Sequence, residues 1–371
     1  MVHRAAAALA VASWAVVGAY SLGSLIQSLP AQDPEQDLLL PGTDHAVRAV
    51  FTGVFAIDEF LRGVIQHFYP IVAGPWPGLS LFAANFAGQI VPMVSIVVLE
   101  GLRVGNRNSI LSFPAIWGII YQALSGAVIL PIFLALSLLR SPRGEKADDK
   151  SKAASFLPMD PVAVSTVPAA LAIGFILPTL LMALPSPNII TLDQQQIFIA
   201  LWQAFPLLTS AAHAVLTALA RAPGGGAAAD SSPMAAARSA YKRILAITGV
   251  THLGSLAIAL CPGIPAALFG VDMGRPTLRE MFVPVSVFSP FTVSGLVEAS
   301  HAIFQYDYIV ISSAALLWVT FLSRNVTSTV VKLLARTVLV GPLGATLWAV
   351  WDRDEEAMAE AEAEAVGRKT Q

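Results

Sequence analysis

Charge is scarce in this chain. Of its 371 residues only 12% are Asp, Glu, Lys or Arg, while 56% are hydrophobic; a soluble domain carries about 25% charge. With a mean hydropathy of +0.68, that deficit excludes an ordinary water-soluble globule and marks an integral membrane protein. Neither sign dominates: 22 basic residues face 24 acidic ones, for a net charge of −2, so no basic field exists to hold nucleic acid. Cysteine is nearly absent. Cys261 alone permits neither an intrachain disulfide nor a cysteine-based zinc or iron-sulfur site. Familiar catalytic motifs are missing too. No paired aspartate-rich motif is available for magnesium diphosphate, since Asp148-Asp149 sits in a charged loop, and the six histidines form no boxes of the desaturase kind. There is no Gly-x-Ser-x-Gly elbow and no His followed five residues later by Asp, which removes serine hydrolases and the usual glycerolipid acyltransferases.

What is present is apolar runs of membrane length. A spanning helix needs about 20 such residues, and Ala5 to Ile26, Leu81 to Leu99, Ala115 to Leu139, Val162 to Leu184, Ile197 to Leu219, Ile244 to Cys261, Tyr308 to Leu322 and Thr329 to Trp351 qualify. Two further segments carry charge: Ala46 to Tyr69, with Arg48, Asp58, Glu59 and Arg62, and Val285 to Tyr306, with Glu298, His301 and Gln305. The sequence therefore predicts an all-α, polytopic transmembrane helix bundle of eight to ten spans over 1–351, and an acidic, solvated C-terminal tail over 352–371. The basic loops Arg140 to Lys152 and Arg221 to Arg243 belong in the cytosol. Placing Arg4 beside them requires Ala46 to Tyr69 to cross the bilayer, which would put its charges inside the membrane. Arg324 joins that side only if Val285 to Tyr306 does not span. The loop Ala222 to Ala237, with Gly224, Gly225 and Gly226, reads as a low-complexity linker rather than a phosphate cradle. Asn325-Val326-Thr327 is a glycosylation sequon, usable only from the lumen.

An ionisable group inside a bilayer is costly and needs a reason. Asp58 and Glu59 lie four and three residues before Arg62, so one can pair with it; the other is left for proton chemistry. Glu298, His301 and Gln305 share one helical stripe. Without a second Glu-x-x-His, a di-iron site is disfavoured and no metal is expected. A polar bundle contact and an acid-base face both remain open for this stripe. Trp202, Pro206, Thr209 and His213 line one helix face, and Asn85, Gln89 and Pro92 another. Such stripes serve either as glue between helices or as the walls of a central polar cavity. Asp307, between Tyr306 and Tyr308, is a helix cap or a cavity acid. His252 reads as a hydrogen-bonded core histidine, and Glu100 with Arg103 and Arg107 as an interfacial group.

The Asp58-Glu59-Phe60-Leu61-Arg62 helix, the Leu201-Trp202-Gln203-Ala204-Phe205-Pro206 stretch and the Glu298-x-x-His301 region ending in Tyr306-Asp307-Tyr308 resemble the fungal membrane-bound terpene cyclases of the ascochlorin and ascofuranone type. The resemblance implies a lipophilic small-molecule substrate, a farnesyl epoxide attached to a non-terpenoid core. It is protonated by an intramembrane acid and cyclised through carbocations in a dry cavity of a protein set in membrane lipid, and the resemblance also implies the endoplasmic reticulum. On that reading Asp58 or Glu59 donates the proton, and Glu298 with His301 is the alternative donor or the terminating base. Gln89, Trp202, His213, Phe304, Tyr306 and Asp307 contact the substrate, and no cofactor is required. A transporter of a lipophilic metabolite and a noncatalytic membrane scaffold are the rival readings.

Overall fold

The structure, a computed structural model, describes residues 2–29, 39–73, 75–142, 153, 155–223, 232–264, 267, 274–288, 291 and 293–369. Arg143, Lys146, Lys150, Lys152, the Asp148-Asp149 pair and the glycine linker at 224–226 lie outside them. Apart from one isolated bridge, Leu39 to Ala46, every regular element among the described residues is helical. In order these are α1 (Val2–Gln27), α2 (Phe55–Val72), α3 (Pro77–Leu102), α4 (Pro114–Leu124), α5 (Gly126–Arg140), α6 (Pro161–Leu171), α7 (Leu177–Met182), α8 (Leu192–Gln203), α9 (Phe205–Arg221), α10 (Pro233–Leu260), α11 (Leu278–Phe282), α12 (Leu296–Leu322) and α13 (Val326–Lys369). A π-helical turn, Ala172–Ile176, joins α6 to α7. Local chemistry sets several starts. Proline is the first residue of α3, α6 and α10, where its missing N–H costs nothing. Thr191 and Gln194 form a capping box on α8, and Asp160 accepts from the Val162 and Ala163 N–H groups at the head of α6.

By length and composition alone six helical stretches, Val326–Glu360 of α13 among them, pass as membrane spans, and the α8–α9 pair, bent by 65°, makes a seventh; α13 leaves that count because it folds back at Gly341. The sequence count of eight to ten is higher, for reasons visible in the packing. The Val285 to Tyr306 and Tyr308 to Leu322 segments are not separate elements: from Leu296 onward they form the single 27-residue α12. Ala46 to Tyr69 becomes helical only at Phe55. Its two flanks lie at the same end of the bundle, because Arg48 pairs with Asp193 at the start of α8 and Trp76 leads directly into α3. The helix is not among those apolar enough to cross, and it buries only the stripe Asp58, Leu61, Ile65 and Tyr69 together with Pro70 and Ile71 near its C-terminus.

Two other expected spans are folded back on themselves. In the Ala115 to Leu139 run the chain turns at Ser125 (φ +80°), and Trp117 meets Phe133 across the turn with ring centroids 5.3 Å apart. The arms have 11 and 15 residues, about 16 and 22 Å, too short for a hydrocarbon core of about 30 Å. Thr329 to Trp351 behaves in the same way. In α13 the helix breaks at Gly341 (φ +70°), Arg336 and Lys332 both reach Asp352, and Arg324 pairs with Glu360. A straight helix would hold Arg324 and Glu360 about 50 Å apart. These are re-entrant hairpins entering from one end.

That end gathers Arg140, Arg221, Arg238, Arg324 and Arg353, with Arg4 at the head of α1. Its centre is a buried ionic knot: Arg103 bonds Glu100 (2.6 Å) and Asp354 (3.1 Å), and Arg353 reaches the same Glu100 (2.9 Å). The Asp352-Arg353-Asp354-Glu355 string, expected in a solvated tail, is therefore bound to the bundle. Asp354 is 4% exposed because Arg103 and the Tyr241 hydroxyl enclose it.

Candidate active site

A cavity of about 310 Å³ runs beside α3, walled by apolar and aromatic side chains from α2, α3, α7, α8, α10 and α12. A smaller hollow of about 80 Å³ continues inward. Phe68, Phe86, Ile90, Trp202 and Phe304 line both, so the two are chambers of one cavity with an aromatic waist. Around that waist Phe68 lies 5.1 Å from both Trp202 and Phe304, and Trp202 lies 5.0 Å from Phe205, all between ring centroids. Trp202 donates its indole N–H to the Thr179 hydroxyl (2.8 Å), which leaves the ring face to the cavity. Such π-faces attract positive charge.

The polar groups stand at the inner end. Asp307, Tyr121 and Gln122 line the smaller chamber. Asp307 Oδ1 accepts from the Ser125 hydroxyl (2.5 Å) and the Ala127 N–H (3.0 Å); among the described residues Oδ2 holds no hydrogen bond. The donors come from the tip of the α4–α5 hairpin, so the N-terminus of α5 points at the carboxyl of α12, an arrangement that favours negative charge there. Gln122 donates to the Gln203 carbonyls (3.2 and 3.4 Å).

Of the residues expected to bind substrate, Trp202, Phe304 and Asp307 lie on this wall. Gln89, His213 and Tyr306 do not, because each is committed elsewhere. Gln89 closes the tip of the α13 hairpin, donating to the Val340 carbonyl (2.9 Å) and accepting from the Leu343 N–H (3.0 Å). His213 meets the Ala163 carbonyl of α6 (2.9 Å). The Tyr306 hydroxyl donates to Val285 O (2.9 Å), tying down the segment before α12.

The four expected catalytic groups are not brought together. Asp58 folds back on the preceding turn and accepts from the Thr52 N–H and hydroxyl, the Phe51 N–H and the Gly53 N–H. The Thr52 N–H, followed by these other donors, holds its carboxyl below the usual carboxylate range. Glu59 is exposed and pairs with Arg62 at 2.5 Å. Glu298 accepts from the Ser294 N–H and hydroxyl, both at 2.7 Å. With His301 it lines an open cleft at the Trp76 end that shares no wall with the aromatic cavity. The expected common hollow for Asp58, Glu59 and Glu298 is thus not formed. Among the described residues no three His, Cys, Asp or Glu side chains come together as a metal site.

The sequence reading passed over Phe68, Phe86, Phe175, Tyr121, Ser125 and His67. His67 stacks on Phe304 (4.4 Å) and bonds Ser300 (2.8 Å), and burial pushes it down to about 4. Phe68 was findable, since it falls on the same amphipathic helix as Asp58; Ser125 carried no signal, its partner being 182 positions away.

The sequence model of the CtvD domain matches residues 6–358, nearly the whole chain. The chain belongs to the CtvD family. Its curated relatives include the terpene cyclase ascI of Acremonium egyptiacum, 30% identical over 92% of this chain and 88% of that protein. The terpene cyclase penA of Penicillium crustosum is 29% identical over 75% of this chain and 73% of its own length. The terpene cyclase ctvD of Aspergillus terreus is 26% identical over 85% and 88%. No solved structure matches the chain. Membership of this family supports a terpene cyclase function and agrees with the resemblance read from the sequence; it does not favour a transporter.

Proposed function

We propose that this CtvD-family protein cyclises a farnesyl epoxide carried on a non-terpenoid group, with Asp307 as the proton donor. The observation that carries the proposal is a carboxyl on the wall of an aromatic, largely apolar cavity, with one oxygen hydrogen-bonded and, among the described residues, the other unengaged. The carboxyl proton passes to the epoxide oxygen as the C–O bond at the more substituted carbon breaks, leaving a hydroxyl and a tertiary cation. The chain's alkene π-pairs then close the rings in turn. The last cation loses a proton or is captured by a hydroxyl of the substrate, so the process is redox-neutral and needs no cofactor. Ser125 and Ala127 stabilise the carboxylate left behind. Phe68, Trp202 and Phe304 face the migrating charge, and the apolar walls exclude the water that would quench it. A volume of about 310 Å³ falls within the range of small-molecule sites.

Asp58, Glu59 and Glu298 are weaker donors on this reading, because each already accepts hydrogen bonds or an ion pair outside the cavity. The test uses microsomes fed an epoxyfarnesyl phenol, with products followed by mass spectrometry. Asp307→Asn keeps an oxygen for Ser125 and Ala127 but has no proton to give; product formation falls about 10²–10⁴-fold at unchanged protein level. Asp58→Asn and Glu298→Gln retain turnover. Full activity in Asp307→Asn, or its loss in Glu298→Gln alone, overturns the assignment.

A further inference from the structure

The outer chamber is not sealed. One side of its wall consists of Ile176, Leu180 and Ala183, the other of Ile247 and Thr251 of α10. α10 packs along α6, whereas α7 packs on α8, so the helices on either side of this wall part company. The cause is the π-helical turn between α6 and α7. There Gly174 lies so close to α9 that a Cβ would stand 2.3 Å from the Thr209 backbone, which draws the following segment toward α9 and α8 and away from α10. Leu180 is 61% exposed at the parting, and Leu177 and Val250 on the two helices beside it are 50% and 74% exposed. These are apolar side chains on spanning elements, so the surface they form belongs to lipid.

We infer that the parting between α7 and α10 is a lateral door through which the substrate enters from the hydrocarbon layer, epoxide end first. The inference rests on the cyclase reading of the cavity. From Ser80 in the outer chamber to Val97 in the inner one the cavity follows α3 for a rise of about 25 Å. Its polar groups, Asp307, Tyr121 and Gln122, stand at the inner end, and the door opens on the outer chamber. A chain that must present its epoxide to Asp307 therefore leads with that end and leaves its non-terpenoid group by the door. Entry from either aqueous end would carry the prenyl chain through water at a hydrophobic cost for every methylene. Through the side it passes from one apolar medium to another.

The test uses the full chain in lipid nanodiscs. Leu180→Trp and Thr251→Trp narrow the door from opposite sides; each lowers kcat/KM for the prenyl epoxide by about tenfold. Leu9→Trp, on the exposed face of α1 away from the door, leaves it unchanged, and Leu180→Ala keeps or raises it. Independently of turnover, a nitroxide placed at Leu180→Cys in a Cys261→Ser background is relaxed by dissolved oxygen and not by a water-soluble nickel complex, and it loses mobility when the prenyl epoxide is added. Unaltered kcat/KM in both tryptophan variants, or quenching of the label by nickel, overturns the door. Absence of cyclisation by the unaltered chain, with the label still read by oxygen and still slowed by the prenyl epoxide, overturns the chemistry and leaves the door standing.

Discussion

Asp58 and Asp307 both carry carboxyls drawn out of water, and they differ in how much of each is already engaged. Both Asp58 oxygens accept hydrogen bonds from the 51–53 turn, whereas among the described residues only Oδ1 of Asp307 is held. The contribution of Asp58 to stability is complete above its ordinary value of 3.8 and is lost as acid takes the pH through its lowered folded value. Asp58→Asn is therefore expected to lower the thermal midpoint at pH 7, with the gap to the unaltered chain closing in acid. His67 runs the other way in cause and the same way in sign. Burial lowers it from 6.5 to about 4, so the unfolded chain binds a proton that the folded chain refuses. Stability is full above pH 6.5 and falls on acidification by up to about 1.4 kcal/mol per pH unit until pH 4 is approached. A thermal-shift titration of His67→Gln should show that slope removed. The sequence made Asp58 conspicuous by setting it in a charged helix, and it made Asp307 look like a cap between two phenols. What separates them is which donors the fold brings up: those of Asp58 are five to seven positions away, those of Asp307 180 and 182.

At the scale of elements, the two re-entrant hairpins share a design. Each turns at a residue of positive φ, and each tip is held by a polar side chain from a spanning helix, half-buried Asp307 at Ser125 and buried Gln89 at Gly341. Gly341 is required twice over, by its φ and because a Cβ there would lie 2.3 Å from the Gln89 amide. Gly341→Ala is expected to cost about 1–3 kcal/mol in backbone strain alone. Gln89→Leu should cost about 1–3 kcal/mol by orphaning the Val340 carbonyl and the Leu343 N–H. Both are readable as loss of folded protein in detergent melts. The spans α1 and α3, and α10 from Ile244 onward, were legible as apolar runs, whereas the first eleven residues of α10, Pro233 to Arg243, were read as part of a basic loop. The hairpins were not, because nothing charged interrupts Ala115 to Leu139 and its polar residues Gln122, Ser125 and Ser137 are too few to mark a turn, and an arm that turns back has the same composition as one that continues. The α12 helix was split in the reading for the opposite reason: Glu298, His301, Gln305 and Asp307 made its first half look unlike a span.

For the molecule as a whole, folding back two segments leaves the first and last helices starting and finishing at the arginine-rich end, which by its basic loops is expected to face the cytosol. Asn325, at that end, is expected to stay unglycosylated in a glycosylating host, while an acceptor sequon engineered between α11 and α12 is modified; a gel-shift assay reads both. The knot of Glu100, Arg103, Arg353 and Asp354 fastens the returning arm of α13 to α3. Arg103 is fully buried, and Arg103→Ala leaves Glu100 and Asp354 short of a partner, an expected loss of about 3–5 kcal/mol, checked by thermal melts. The overall class, all-helical and membrane-spanning, followed from charge deficit alone. The cavity did not, because its walls come from six helices far apart in the sequence, brought together only by the fold.

One consequence lies in the order of manufacture. The α4–α5 tip leaves the ribosome long before α12 does, and its serine waits some 180 positions for the acid it will hold. On the proposed chemistry, a nascent chain that stalls before α12 owns most of the chamber but lacks the acid that would start a cascade. Such fragments would be inert by construction, and the cell would be spared half-built catalysts releasing reactive cations into its own membranes.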